Sequence, residues 1–170
     1  MLERRKSSDV PPDSRRVRDR IAFRRQSDDS DAILPRFRLW WETLCSQHGL
    51  DARDARCRDF GRHVAGLVRH GIEAGDRVLV GAAVTRRELA AMIQDDGFGF
   101  SNAIEHRRLS LGQGLGYDEA IDFADELKIE SRGRLNWKTP LGMREAEVPL
   151  SRPGTRIFLR KSLSSSRGGH

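Results

Sequence analysis

Between Val78 and Ile93 the chain alternates with a period of two. Val78, Val80, Ala82 and Val84 form one run, Leu89, Ala91 and Ile93 the next, and Thr85-Arg86-Arg87 separates them. Period-two alternation puts one set of side chains on one face of a strand, so this stretch reads as two strands sharing a buried face. A sheet of that kind needs a second layer to cover it. The cover is legible upstream. Ile33, Leu34, Phe37, Trp40, Trp41 and Leu44 recur at helical spacing before Gly49, and Cys57, Phe60, Val64, Leu67 and Val68 do so after Asp51. His70-Gly71 is the expected end of the second helix. Trp40 and Trp41 lie on the apolar stripe, which makes them core residues rather than a stacking platform.

Ile21 and Phe23 predict a short strand at the front of the domain. Tyr117, Ala120, Ile121, Ala124 and Leu127 mark a third helix, and Leu127 to Glu130 and Arg156 to Lys161 two further strands. Residues 131–153, with Pro140, Pro149, Pro153 and Trp137, read as a loop or hairpin inserted between them. The expectation is an α+β, two-layer sandwich: a mixed β-sheet with helices on one face. It spans residues 19–161, between a polar, Arg-rich tail (1–18) and a Ser/Gly-rich tail (162–170), both expected to be flexible.

At 170 residues one domain is the default. No apolar run approaches the roughly 20 residues of a membrane span. The charged start, Met1 to Lys6, has no apolar stretch behind it, so no secretory leader is expected. Cys45 and Cys57 match neither a zinc spacing nor a disulfide framework, and the expected compartment is the cytoplasm. The net charge is +6, and 27 of the 31 cationic residues are arginine. Because those arginines are spread along the chain and often sit beside acids, nucleic acid is not the expected partner.

Two glycine-rich segments stand out. Asp95-Asp96-Gly97-Phe98-Gly99 follows a strand and puts a carboxylate, an acceptor for an exocyclic amine, beside glycines that let a ligand come close. Gly112-Gln113-Gly114-Leu115-Gly116 opens the third helix, where successive N–H groups form an anion nest. It lacks the strand of a Rossmann fingerprint and the Gly-Lys-Ser/Thr of a P-loop.

The two in this order, with Gly154-Thr155 before the last strand, resemble the GHKL (Bergerat-fold, histidine-kinase-like) ATPase superfamily. Within it, the upstream strand, two helices and His70-Gly71 are most similar to bacterial anti-sigma factors and stressosome-type serine kinases. The resemblance implies ATP as ligand. It implies Asp95 as acceptor for the adenine amine, Gly97 and Gly99 as the turn under the base, and Gly112, Gly114 and Gly116 along the phosphates. Thr155 would lie near the base, and Phe100 to Leu111 would form a lid. It also implies a sigma factor or an anti-anti-sigma protein as partner. A second copy of the chain is a further candidate.

The family's catalytic helix carries a Glu and, four residues on, an Asn that ligates Mg²⁺. Anchored on His70-Gly71, those positions read Arg62 and Gly66, which supply neither base nor ligand. A shift by three residues offers Asp59 and His63 as catalytic candidates on one helix face. Two expectations follow. One is a regulator that transfers the ATP γ-phosphoryl group to a Ser or Thr of its partner; the other is a non-catalytic interaction module of the same fold, with weak or no nucleotide binding.

Overall fold

The alternating stretch forms two antiparallel strands with Val80 opposite Ile93. The computed structural model describes residues 19–25, 30–97, 117–150 and 153–164. In chain order these form β1 (Asp19–Arg24), α1 (Ser30–Gln47), α2 (Ala55–Ala74), β2 (Arg77–Val84), β3 (Glu88–Asp95), α3 (Tyr117–Phe123), β4 (Glu126–Ser131), β5 (Arg134–Thr139), β6 (Gly142–Glu147) and β7 (Thr155–Ser162). The sheet order is β1-β2-β3-β7-β4-β5-β6.

The fold is α+β, but the sheet is not mixed as expected: every neighbouring pair is antiparallel. The connections explain this. Between β1 and β2 the chain makes two helices, out and back, and so returns to the end it left. β2 must then run against β1. The β3-α3-β4 unit does give two parallel strands, but β7 inserts between them and pairs with both.

Alternate residues of the strands, among them Val78, Val80, Leu89, Ile93, Leu127, Ile129, Ile157 and Leu159, share one buried cluster with residues of the helices. Only one face of each strand contributes, which sets α1 and α2 against that face. Trp41 is buried in this cluster, its indole N–H donating to the Cys57 carbonyl (3.1 Å) and its ring stacked on Phe60 (5.5 Å). Cys45 is buried too, and burial, with Cys57 beside it, pushes its thiol up to about 12.

α2 begins at Asp54, whose carboxylate accepts from the Arg56 N–H (3.0 Å). It does not end at His70-Gly71 as expected; it continues to Ala74, with Gly75 as the cap. Glycine is disfavoured inside a helix, and here packing overrides that preference. A β-carbon at Gly71 would come within 2.7 Å of Val78 Cγ2 and 3.4 Å of Asp95 Cβ. α2 lies on the sheet at that point only because residue 71 has no side chain.

Residues 134–147 form the β5–β6 hairpin, and β6 is exposed along its whole length. β7 runs through Ser162, and the Leu163 N–H donates to the Arg87 carbonyl (2.7 Å). Two of the chain's four lysines converge where α3 ends. Lys138 Nζ donates to the carbonyls of Ile121 and Ala124 (2.7 Å each), and Lys161 Nζ to that of Phe123 (2.8 Å). Two ammonium groups on the free carbonyls of a helix end satisfy its acceptors and its dipole.

Candidate functional site

Asp95 closes β3 and is 6% exposed. Its Oδ1 accepts from the backbone N–H of Gly97 (2.9 Å) and of Thr155 (3.2 Å), which ties the end of β3 to the start of β7. Among the described residues no donor is assigned to Oδ2. These two amides fix one carboxylate oxygen.

The walls stand close because they lack side chains. Gly154 has a φ of +83°, and a β-carbon there would run into the Asp95 backbone carbonyl. With Gly71 on the other side, Asp95 sits between α2 and the β7 entry, with no room for larger neighbours. Thr155 continues the polar lining. It is 2% exposed, and its hydroxyl lies 3.0 Å from that of Ser131, itself 3% exposed, on β4. Two buried hydroxyls that satisfy each other hold this corner rigid.

Burial is the largest influence on the Asp95 carboxyl and pushes its pKa up. The Gly97 and Thr155 amides oppose this, and the Asp96 charge adds to the rise. Asp96 does separate work: its Oδ1 accepts from the N–H groups of Asp76 and Arg77 (2.9 Å each) and pins the α2–β2 turn.

Arg62 and Gly66, which the resemblance would put at catalytic positions, lie farther up α2. Arg62 is exposed and Gly66 half-buried. Both line a cavity of about 190 Å³ with Leu34, Arg38, Ala65, Arg69 and His70. No carboxylate stands in that lining. Asp59 and His63 are brought near each other without bonding. The Asp59 carboxylate meets Arg58 (3.4 Å), and the His63 ring packs on Phe123 (4.5 Å) with its Nδ1 buried and unpaired. Burial lowers the His63 pKa more than Asp59 and Glu119 raise it, so the imidazole is neutral at pH 7. His70, 7% exposed, is lowered by burial in the same way, against Glu73 and Glu119.

The structure therefore brings Asp95, Gly97 and Thr155 into one site and leaves Asp59, His63, Arg62 and Gly66 on a separate stretch of helix. Gly99, Gly112, Gly114 and Gly116, and the expected lid, lie outside the described residues. Sequence reasoning missed Ser131, although a serine at the inward position after Leu127 and Ile129 was a signal. It also missed Arg38, which no pattern in the sequence pairs with Arg62. Comparison with known protein families and with curated proteins returned no match. No helix among the described residues is long and apolar enough to cross a membrane.

Proposed function

We propose that the protein is an ATP-binding regulator of the partner-switching kind, a GHKL-fold module related in design to bacterial anti-sigma factors and serine kinases. One observation carries the reading: a buried carboxylate with one oxygen locked by two backbone amides and no described donor on the other, in a niche that Gly71 and Gly154 narrow. A carboxylate in a low-dielectric niche favours a ligand that brings an N–H of its own, because buried acceptors are costly unless they are hydrogen-bonded. The adenine amine is such a group. Thr155 and Ser131 would hold the base edge, and residues 112–116 the phosphates. A sigma factor or an anti-anti-sigma protein is the proposed partner, and the cytoplasm the proposed compartment.

ATP would bring a γ-phosphoryl group for transfer to a partner hydroxyl. The chain's own offer of a base is His63, neutral and with Nδ1 unpaired, or Asp59, which is engaged by Arg58. The family's Mg²⁺ does not fit its usual position: Gly66 has no ligand atom, Arg62 adds positive charge, and no group of three His, Cys, Asp or Glu among the described residues is placed to hold a metal. That favours the second reading, a non-catalytic interaction module of the same fold with weak or no nucleotide binding.

Isothermal titration with ATP tests the site: binding that Asp95→Ala removes supports it, and no heat at millimolar ATP refutes it. Labelled ATP and a candidate partner then separate the two readings, since the non-catalytic one predicts no label on the partner.

A further inference from the structure

Among the described residues five polar or charged side chains are buried: His70, Asp95, Ser131, Asn136 and Thr155. Asp95, Thr155 and Ser131 are linked in turn by hydrogen bonds, and His70 precedes the glycine that touches Asp95. Asn136, on β5, is different. It is 6% exposed, and no hydrogen bond is assigned to its amide among the described residues. Asparagine is depleted in strands, and a buried amide without a partner is costly. The amide is not wholly enclosed, as the unpaired His63 Nδ1 and Arg156 Nε are, so a partner from outside the chain can reach it.

The register sets Asn136 on the face that carries the candidate site. It stands opposite Ile129, which stands opposite Ile157, while Ser131 stands opposite Thr155. Ser131 is therefore its diagonal neighbour on the helix-covered face. Across β3, β7, β4 and β5 a polar line runs from Asp95 through Thr155 and Ser131 to Asn136, with the buried Ile157 and Ile129 beside it as an apolar floor. Three strand spacings of about 4.8 Å put its ends roughly 14 Å apart. Adenosine, from its amine to its sugar hydroxyls and with a hydrogen bond at each end, spans a comparable length. The chemistry matches as well: a vicinal diol both donates and accepts, and so does a primary amide.

We infer that Asn136 binds the sugar hydroxyls of the nucleotide whose base lies at Asp95, and that it makes the site select ribose over deoxyribose. The inference rests on the nucleotide reading above. It carries the site from β3 and β7 across β4 to β5.

The test is titration of the full chain with ATP, 2′-deoxy-ATP and 3′-deoxy-ATP, in the wild type and in Asn136→Leu. In the wild type at least one deoxy analogue is expected to bind about tenfold more weakly than ATP, the worth of a buried hydrogen bond. Asn136→Leu is expected to bind ATP about as weakly as the wild type binds that analogue, and no longer to tell the two apart. Without ligand, the variant is expected to melt no lower than the wild type, because an unbonded buried amide gives way to an apolar group of similar size. A lower melting point would make the amide a support of the fold and overturn the inference. Equal wild-type affinity for all three nucleotides, or ATP affinity unchanged in Asn136→Leu, overturns it too and leaves the nucleotide reading standing. No heat with any of them at millimolar concentration refutes both.

Discussion

The last turn of α2 and its middle are built on opposite terms. At Gly71 the helix touches the sheet, and the carboxylate beneath it is buried and held by two amides. Two turns earlier Arg62 is exposed and Gly66 borders a cavity. The first region tolerates almost no change in shape, while the second is open to substitution. A packed corner persists only with its neighbours. A solvated helix face carries no packing load, so nothing structural resists a change of residue there.

That contrast is open to attack, and the sharpest blow is steric. Gly71→Val drives two methyl groups into Val78 and Asp95 and is expected to cost about 3 kcal/mol in denaturant unfolding. Gly66→Val, on the cavity side, is expected to cost less than about half of that. Equal losses would erase the distinction between the two regions.

Chemical substitution comes next. Asp95→Asn keeps the shape and an acceptor for the Gly97 and Thr155 amides but turns N–H groups towards the ligand. ATP affinity is expected to fall about tenfold to a hundredfold, the worth of a charge-assisted hydrogen bond. The unliganded protein is expected to melt no lower than wild type at pH 7, because the buried charge is gone.

Lys138→Ala removes three bonds to the end of α3 and is expected to lower stability by about 1 kcal/mol, read from the shift in the denaturant midpoint.

The smallest effect is in pH. His63 and His70 have lowered pKa values in the fold, chiefly through burial. Below about pH 6.5 the unfolded chain takes up protons that the folded chain refuses, so stability falls as pH drops through that window. His63 faces Asp59, Arg62, Glu119 and Lys161, and His70 faces Arg69, Glu73 and Glu119. Asp95 works in the other sense. Its raised pKa makes stability fall as pH rises from about 4 towards that raised value. His70→Gln is expected to flatten the acid limb of the melting profile.

Much of this was readable from residues alone. β2 and β3 follow from strict alternation, and α1 and α2 from apolar stripes that match the buried set at Phe37, Trp41, Phe60 and Val64. The antiparallel character of the sheet was not, because β7 reaches its place between β3 and β4 through pairing distant in sequence. Residues alone left β6 open between hairpin and loop for a different reason. Gly142-Met143-Arg144-Glu145-Ala146-Glu147 has no apolar face, and the strand is held by its ladder to β5 and the Arg134–Glu145 pair (2.7 Å). At the candidate site, Asp95 and Thr155 could be singled out through the family resemblance, and the fold joins them by a hydrogen bond. The approach of Arg38 to Arg62 could not, because it depends on how two helices pack.

The central claim is that the second carboxylate oxygen of Asp95 receives an amine. Inosine triphosphate differs from ATP in carrying a carbonyl oxygen where adenine carries that amine, so it sets acceptor against acceptor. Titration of the wild-type chain with both nucleotides tests the claim directly. The account predicts that ATP binds at least about tenfold tighter, because a mismatched buried polar pair is penalised. Equal affinity for the two would contradict it.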